Sequence, residues 1–187
     1  MQFDNFMIRR KIFAFLGKTF HFKDPQGNVF AYCHQKAFKL KEDIRIYTDD
    51  TKTEEILLIK ARNIIDFSAA YDVADSKTGE IIGTWRRKGF SSLIRDSWEL
   101  LIAGSPIGQL KEDSMLLALI RRFLCNLVPQ SYHLVNASGV MMANFHQHFN
   151  PFVFKLDVVN LAPGNDKMAK LIAAGGVLLS AIEGRQG

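Results

Sequence analysis

The chain has 187 residues, of which 48% are hydrophobic and 23% charged, with a formal net charge of +5 and two cysteines. That length supports one sizeable core, and the composition excludes a disordered, collagenous or disulfide-stapled protein. The positive charge permits attraction to anionic lipid or nucleic acid without requiring either.

At the start, "MQFDNFMIRRKIFAFLG" is basic and apolar. Lys18 and the "HFKD" that follows cut the apolar run short of a secretory signal. Cys33 and Cys125 form no CxxC and no metal spacing, so the expectation is a cytoplasmic chain with free thiols. "KTFHFKDPQGNVFAYCHQ" predicts two strands around a turn at Asp24–Asn28, where proline and glycine suit the turn dihedrals. "AFKLKEDIRIYTDD" alternates apolar Phe38, Leu40, Ile44 and Ile46 with charged residues, and "EILLIKARNI" reads as a further strand. "SAAYDVADSKTGEIIGTWRRKG" predicts a second hairpin turning at Asp75–Gly79. "DSWELLIAGSPIGQLKED" predicts a third, turning at Ser105–Gly108.

"EDSMLLALIRRFLCNLVPQ" breaks the strand pattern. Its apolar positions follow helical spacing and Pro129 ends the run, which predicts a helix over 114–128 with Arg121 and Arg122 on its polar side. Such a helix packs against a sheet or lies on a membrane surface. "QSYHLVNASGVMMANFHQH" predicts a hairpin turning at Asn136–Gly139, and "FVFKLDVV" is a last alternating run. Three of these hairpins share one grammar: "FHFKDPQGNVFAY", "AYDVADSKTGEIIGTW" and "YHLVNASGVMMANF" each place an Asp or Asn before a glycine between apolar strands. The repetition points to antiparallel units in one meandering sheet.

The C-terminal "MAKLIAAGGVLLSAIEG" is apolar on every side. The uncharged stretch from Leu171 to Ile182 reaches roughly 18 Å as a helix, short of a hydrocarbon core of about 30 Å. A helix apolar all round is buried all round, and Ala173, Ala174, Gly175, Gly176, Ser180 and Ala181 admit close neighbours. The strands therefore enclose it.

Taken in order, "MIRRKIFAFLGKTFHFKDPQGNVFAY", "AFKLKEDIRIYTDD", "AAYDVADSKTGEIIGTWRRKG", "FKLDVV" and "MAKLIAAGGVLLSAIE" resemble the LURP-one-related family, within the tubby C-terminal-like fold to which the phospholipid scramblases are also related. The resemblance runs over nearly the whole chain. It implies a mainly β single domain over 1–187: a closed antiparallel barrel of about twelve strands around the hydrophobic helix from about Met168 to Ile182. The helix at 114–128 departs from it. No family motif transfers a phosphoinositide contact residue by residue. "NLAPGNDK" offers one carboxylate, Asp166, for a scramblase-type calcium segment, and no cysteine cluster is present.

Enzymatic motifs are absent from the sequence. "LGKT" at Leu16–Thr19 has Ile12 where a phosphate loop needs glycine, and "GSPIG" at Gly104–Gly108 lacks a central serine. His146 and His148 share one strand face and, with His34 or His133, suggest a metal, but no acidic or cysteine ligand accompanies them. A filled barrel leaves no ligand lumen. The expectation is a non-catalytic domain without metal or cofactor. Candidate anion or lipid contacts are Arg86, Arg87 and Lys88 between Trp85 and Phe90, Arg121 and Arg122 in the predicted helix, and Arg9, Arg10 and Lys11 beside Phe6 and Phe13. Adjacent strand residues face opposite ways, so a triplet is not by itself a patch. The spacing shows no nucleic-acid surface. The expected partners are an anionic membrane surface, bound peripherally without a transmembrane span, or another protein. The alternative is a scramblase-like protein set in the membrane.

Overall fold

The computed structural model describes residues 3–11, 18–35, 43–63, 69–88, 97–112, 130–150, 152–162 and 164–182. These form strands β1 (Asn5–Lys11), β2 (Lys18–Lys23), β3 (Val29–Gln35), β4 (Ile44–Tyr47), β5 (Glu55–Asn63), β6 (Ala70–Asp75), β7 (Ile81–Lys88), β8 (Ser97–Ile102), β9 (Ser105–Glu112), β10 (Ser131–Asn136), β11 (Met141–His148) and β12 (Val153–Asn160), followed by helix α1 (Asp166–Ile182). Each strand pairs antiparallel with its sequence neighbours, and β1 closes on β12 to complete a barrel. Closure leaves no free sheet edge. The predicted helix over 114–128 lies outside the described residues.

The repeated hairpin grammar has a shared local basis. Asp24, Asp75 and Asn136 each accept the backbone N–H of the glycine three or four residues on, at 2.9, 2.8 and 3.0 Å. Gly27, Gly79 and Gly139 take positive φ of 89°, 71° and 78°, which glycine adopts without a Cβ penalty. The register shifts just before each turn, between Phe22 and Lys23, Val73 and Ala74, and Leu134 and Val135. The same turn chemistry and bulge thus recur three times, with the Asp75–Gly79 turn one residue longer than the other two. The β8–β9 hairpin differs from its prediction. Its turn is Ala103–Gly104, with φ of 50° and 80°, and Ser105–Gly108 belong to β9. Two residues with positive φ make the tight turn that matches strand twist. Gly108 instead makes room: a Cβ there would lie 2.8 Å from the Met142 side chain.

α1 begins two residues earlier than the sequence suggested, because Asn165 caps it. The Asn165 Oδ1 accepts the Met168 N–H at 3.0 Å, and Asp166 sits in the first turn, where a carboxylate suits the helix dipole. From Leu171 to Ala181 every residue is buried. The Trp85 indole donates to the Leu171 carbonyl at 2.9 Å, and the buried Ser180 hydroxyl donates to the Gly176 carbonyl at 2.7 Å. The gap between helix and wall at Trp85, Trp98, Leu110 and Phe145 is too small to admit a water molecule. At the rim where α1 enters, Phe3, Phe6, Phe22 and Phe30 stack with ring centroids 5.5–6.2 Å apart. Leu171 is level with Gly83 and Gly175 with Trp85, so α1 points its C-terminus at the rim that carries Arg10.

Candidate functional site

Cross-strand register maps the outer wall. Inward residues of β1 are Phe6, Ile8 and Arg10, which leaves Asn5, Met7 and Arg9 on the outside. Arg9 pairs with His21 of β2 on one side and with Lys155 of β12 on the other, and Lys155 pairs in turn with His148 of β11. The row His21–Arg9–Lys155–His148 thus crosses four adjacent strands. Arg9 and Lys155 are half-buried cations directly opposite one another, and neither has an ion pair among the described residues. Like charges directly opposite one another destabilise a sheet. Beside this row lies a second, in which Met7 is flanked by Lys23 and Asp157. That row floors an open groove of about 370 Å³, lined also by Asn5, Pro25, Gly27 and Val159. Its carboxylates are engaged. Asp157 holds His148 Nε2 at 2.6 Å, and Asp24 accepts the Asn28 backbone N–H at 2.8 Å. The Asn28 side-chain amide, donating at 3.0 Å, keeps the Asp24 carboxyl below its ordinary value. Lys23, Asp24 and Asp157 supply the charged lining of the groove, and the Arg9–Lys155 pair lies one outward row beyond it, where an anion would relieve repulsion.

The triplets divide as strand geometry requires. Arg10 points into the barrel, 2% exposed, with its guanidinium carbon 5.3 Å from the Phe154 ring centroid and 5.9 Å from that of Phe20. It therefore leaves the outer anion surface to Arg9. The Lys11 side chain, like Phe13, Phe90, Arg121, Arg122 and Cys125, lies outside the described residues. Arg86 and Lys88 face outward and share Glu99, at 2.6 and 2.5 Å. Burial is the largest influence on the Glu99 carboxyl and pushes it up, but the hydrogen bonds from Lys88 and Arg86 outweigh it and hold it below 4.5. Arg87 pairs with inward-facing Trp98 and so has the inner side of the wall. Elsewhere Arg45 meets Glu55 and Arg62 meets Asp72, so the β4–β8 wall is compensated where the β12–β1–β2 wall is not.

His146 and His148 do share a face, with ring centroids 5.1 Å apart. Their partners differ: His146 Nδ1 contacts Ser131 Oγ at 2.8 Å, whereas Asp157 is on His148. His133 faces Asn144, and His34 lies on β3, beyond β12, β1 and β2. Among the described residues no group of three or more His, Cys, Asp or Glu is arranged to hold a metal ion. Cys33 is buried against the core and its thiol is pushed far up by desolvation, which makes it unreactive. Asp166 bonds Lys170 at 2.7 Å in the first turn of α1 rather than forming part of an acidic cluster.

Lys155 and His21 were not singled out from the sequence. The alternation in "FVFKLDVV" puts Lys155 outside, but only the register of closure between first and last strands brings it to Arg9. No described helix is long and apolar enough to cross a membrane. The LURP-one-related family model matches residues 4–179, which takes in every strand and most of α1. A search of curated proteins finds no match.

Proposed function

The chain belongs to the LURP-one-related family, and we propose that it is a non-catalytic domain that docks phosphate-bearing anions, phosphoinositide-like headgroups in particular, on its β2–β1–β12 wall. The observation that carries this reading is the Arg9–Lys155 pair: two opposed cations with no ion pair among the described residues, one row from a groove. A phosphate oxygen between them would turn a repulsion into two charge-assisted hydrogen bonds. Against catalysis stand the filled interior and the histidine network, in which the carboxylate orients a different ring from the one near Ser131. Arg86 and Lys88, with one net positive charge after Glu99, are secondary contacts in this reading, as are Arg121 and Arg122. The scramblase-like alternative needs an embedded helix, and α1 is enclosed. The domain acts at the membrane surface of the cytoplasm.

Sedimentation with vesicles of neutral lipid, phosphatidylserine and phosphoinositide tests the reading. Binding to the acidic vesicles at low salt, lost in Arg9→Glu with Lys155→Glu, supports it. Loss in Arg121→Glu with Arg122→Glu alone moves the site to 114–128. No sedimentation with any lipid leaves a protein partner as the ligand.

A further inference from the structure

The turn between β11 and β12 projects two phenylalanines into solvent. Phe149 is 54% exposed and Phe152 is 68% exposed. Among the described residues the other large exposed apolar side chains are aliphatic: Val29, Ile81, Val140, Met141 and Leu161, and they lie at the opposite rim, beside hairpin turns or the entry to α1. Scattered aliphatics of that kind are ordinary on a protein surface. Two aromatic rings on one turn are not, since each leaves a large apolar area in water. Asn150 Oδ1 accepts the backbone N–H groups of Phe152 and Val153, both at 2.9 Å. A turn held by its own side chain presents the rings without an ordering cost at the moment of contact.

The charges beside this turn say what it meets. His148, the residue before Phe149, pairs with Lys155, and Lys155 pairs with Arg9. Lys155 lies three residue steps along the chain from Phe152, roughly 10 Å. That matches the depth between the headgroup level of a bilayer and its acyl boundary, about 5–10 Å. A neutral apolar cleft on a protein would satisfy the rings but not the cations above them. Resting on the anion-docking reading, we propose that Phe149 and Phe152 form a prong that enters an anionic bilayer while Arg9 and Lys155 hold the headgroups.

The test uses the full chain and two probes: phosphatidylserine vesicles and soluble inositol hexakisphosphate. Phe149→Ala with Phe152→Ala is expected to weaken vesicle binding about ten-fold or more, the scale of withdrawing a large apolar side chain from an apolar phase. Binding of the soluble phosphate stays unchanged. In Phe152→Trp, emission shifts to the blue on vesicles and is quenched by brominated acyl chains. The native Trp85 and Trp98 are each 1% exposed and out of reach of that quencher. Vesicle binding without quenching, and indifferent to the alanine pair, overturns the prong and leaves the headgroup wall standing. So does soluble phosphate binding without vesicle binding. Binding of neither probe overturns both readings. A dimer in solution that the alanine pair dissociates also overturns the prong, by giving the rings to a second copy of the chain.

Discussion

Gly176 shows how little freedom single residues have inside the barrel. A Cβ there would come within 2.9 Å of Ile8 and 3.3 Å of Val158, and at Gly175 within 2.6 Å of the Trp85 ring. Gly176→Leu is expected to lower stability by about 1–3 kcal/mol or more through overpacking, measured by denaturant titration. An unchanged midpoint would mean that the wall does not close on the helix there. Lys170 ties α1 to the barrel by bonding Asp75 at 2.6 Å. That hydrogen bond, ahead of the opposing effect of burial, holds the Asp75 carboxyl below 3.8. Burial pulls the Lys170 ammonium down, but Asp166 and Asp75 outweigh it and raise it above 10.5. The depressed carboxyl contributes stability that is complete above pH 3.8 and lost as pH falls through its folded value. The raised amine contributes below pH 10.5 and is lost as pH rises through its own. Asp75→Asn should cost about 1.5–3 kcal/mol at neutral pH and flatten the acid limb of a stability–pH curve followed by circular dichroism, while Asp166 retains part of the alkaline limb. If the curve keeps its shape, the pair does not anchor the helix. The glycines of α1 were legible in the sequence as sites of close approach, whereas their aromatic and aliphatic neighbours come from distant strands and were not.

Among the elements, the hairpins were the most legible and one was misread. Asp24–Gly27, Asp75–Gly79 and Asn136–Gly139 carry their turn chemistry within a few residues, so the sequence is sufficient. In "IAGSPIG", proline and the second glycine resembled a turn, but the backbone turns at Ala103–Gly104. Pro106 and Gly108 answer to the neighbouring strands instead, and packing of that kind has no local signal. The correction is testable. Ala103→Asn should stabilise the protein by roughly 0.5–1 kcal/mol, because asparagine tolerates positive φ better than alanine. Gly104→Ala should destabilise by about 1 kcal/mol or more. Thermal melts that give the opposite order would return the turn to Ser105–Gly108. The start of α1 was displaced by two residues for a similar reason: "GND" was weighed as a metal segment when Asn165 serves as a cap.

For the whole molecule, the enclosure of the helix followed from one inference, that a short helix apolar on every side must be surrounded, and the closed barrel of about twelve strands followed from the resemblance to the LURP-one-related family. The anion wall did not follow, because Arg9 and Lys155 come from opposite ends of the chain. They meet only through the register in which β1 closes on β12, and closure depends on the shear of the whole sheet rather than on any local pattern. Net charge is the simpler explanation that the wall must beat, since a protein of formal charge +5 is drawn to any acidic surface. Position and total charge can be separated. Arg9→Glu with Lys155→Glu lowers the formal charge from +5 to +1, two substitutions of two units each, and so does Lys60→Glu with Lys111→Glu on exposed positions of β5 and β9. The decisive measurement is the apparent Kd of the three proteins for phosphoinositide vesicles at one fixed salt concentration. If the wall docks the headgroup, the Arg9–Lys155 variant loses about ten-fold or more while the Lys60–Lys111 variant stays within roughly three-fold of the native chain. Equal losses in the two variants would contradict the account and reduce the attraction to net charge alone.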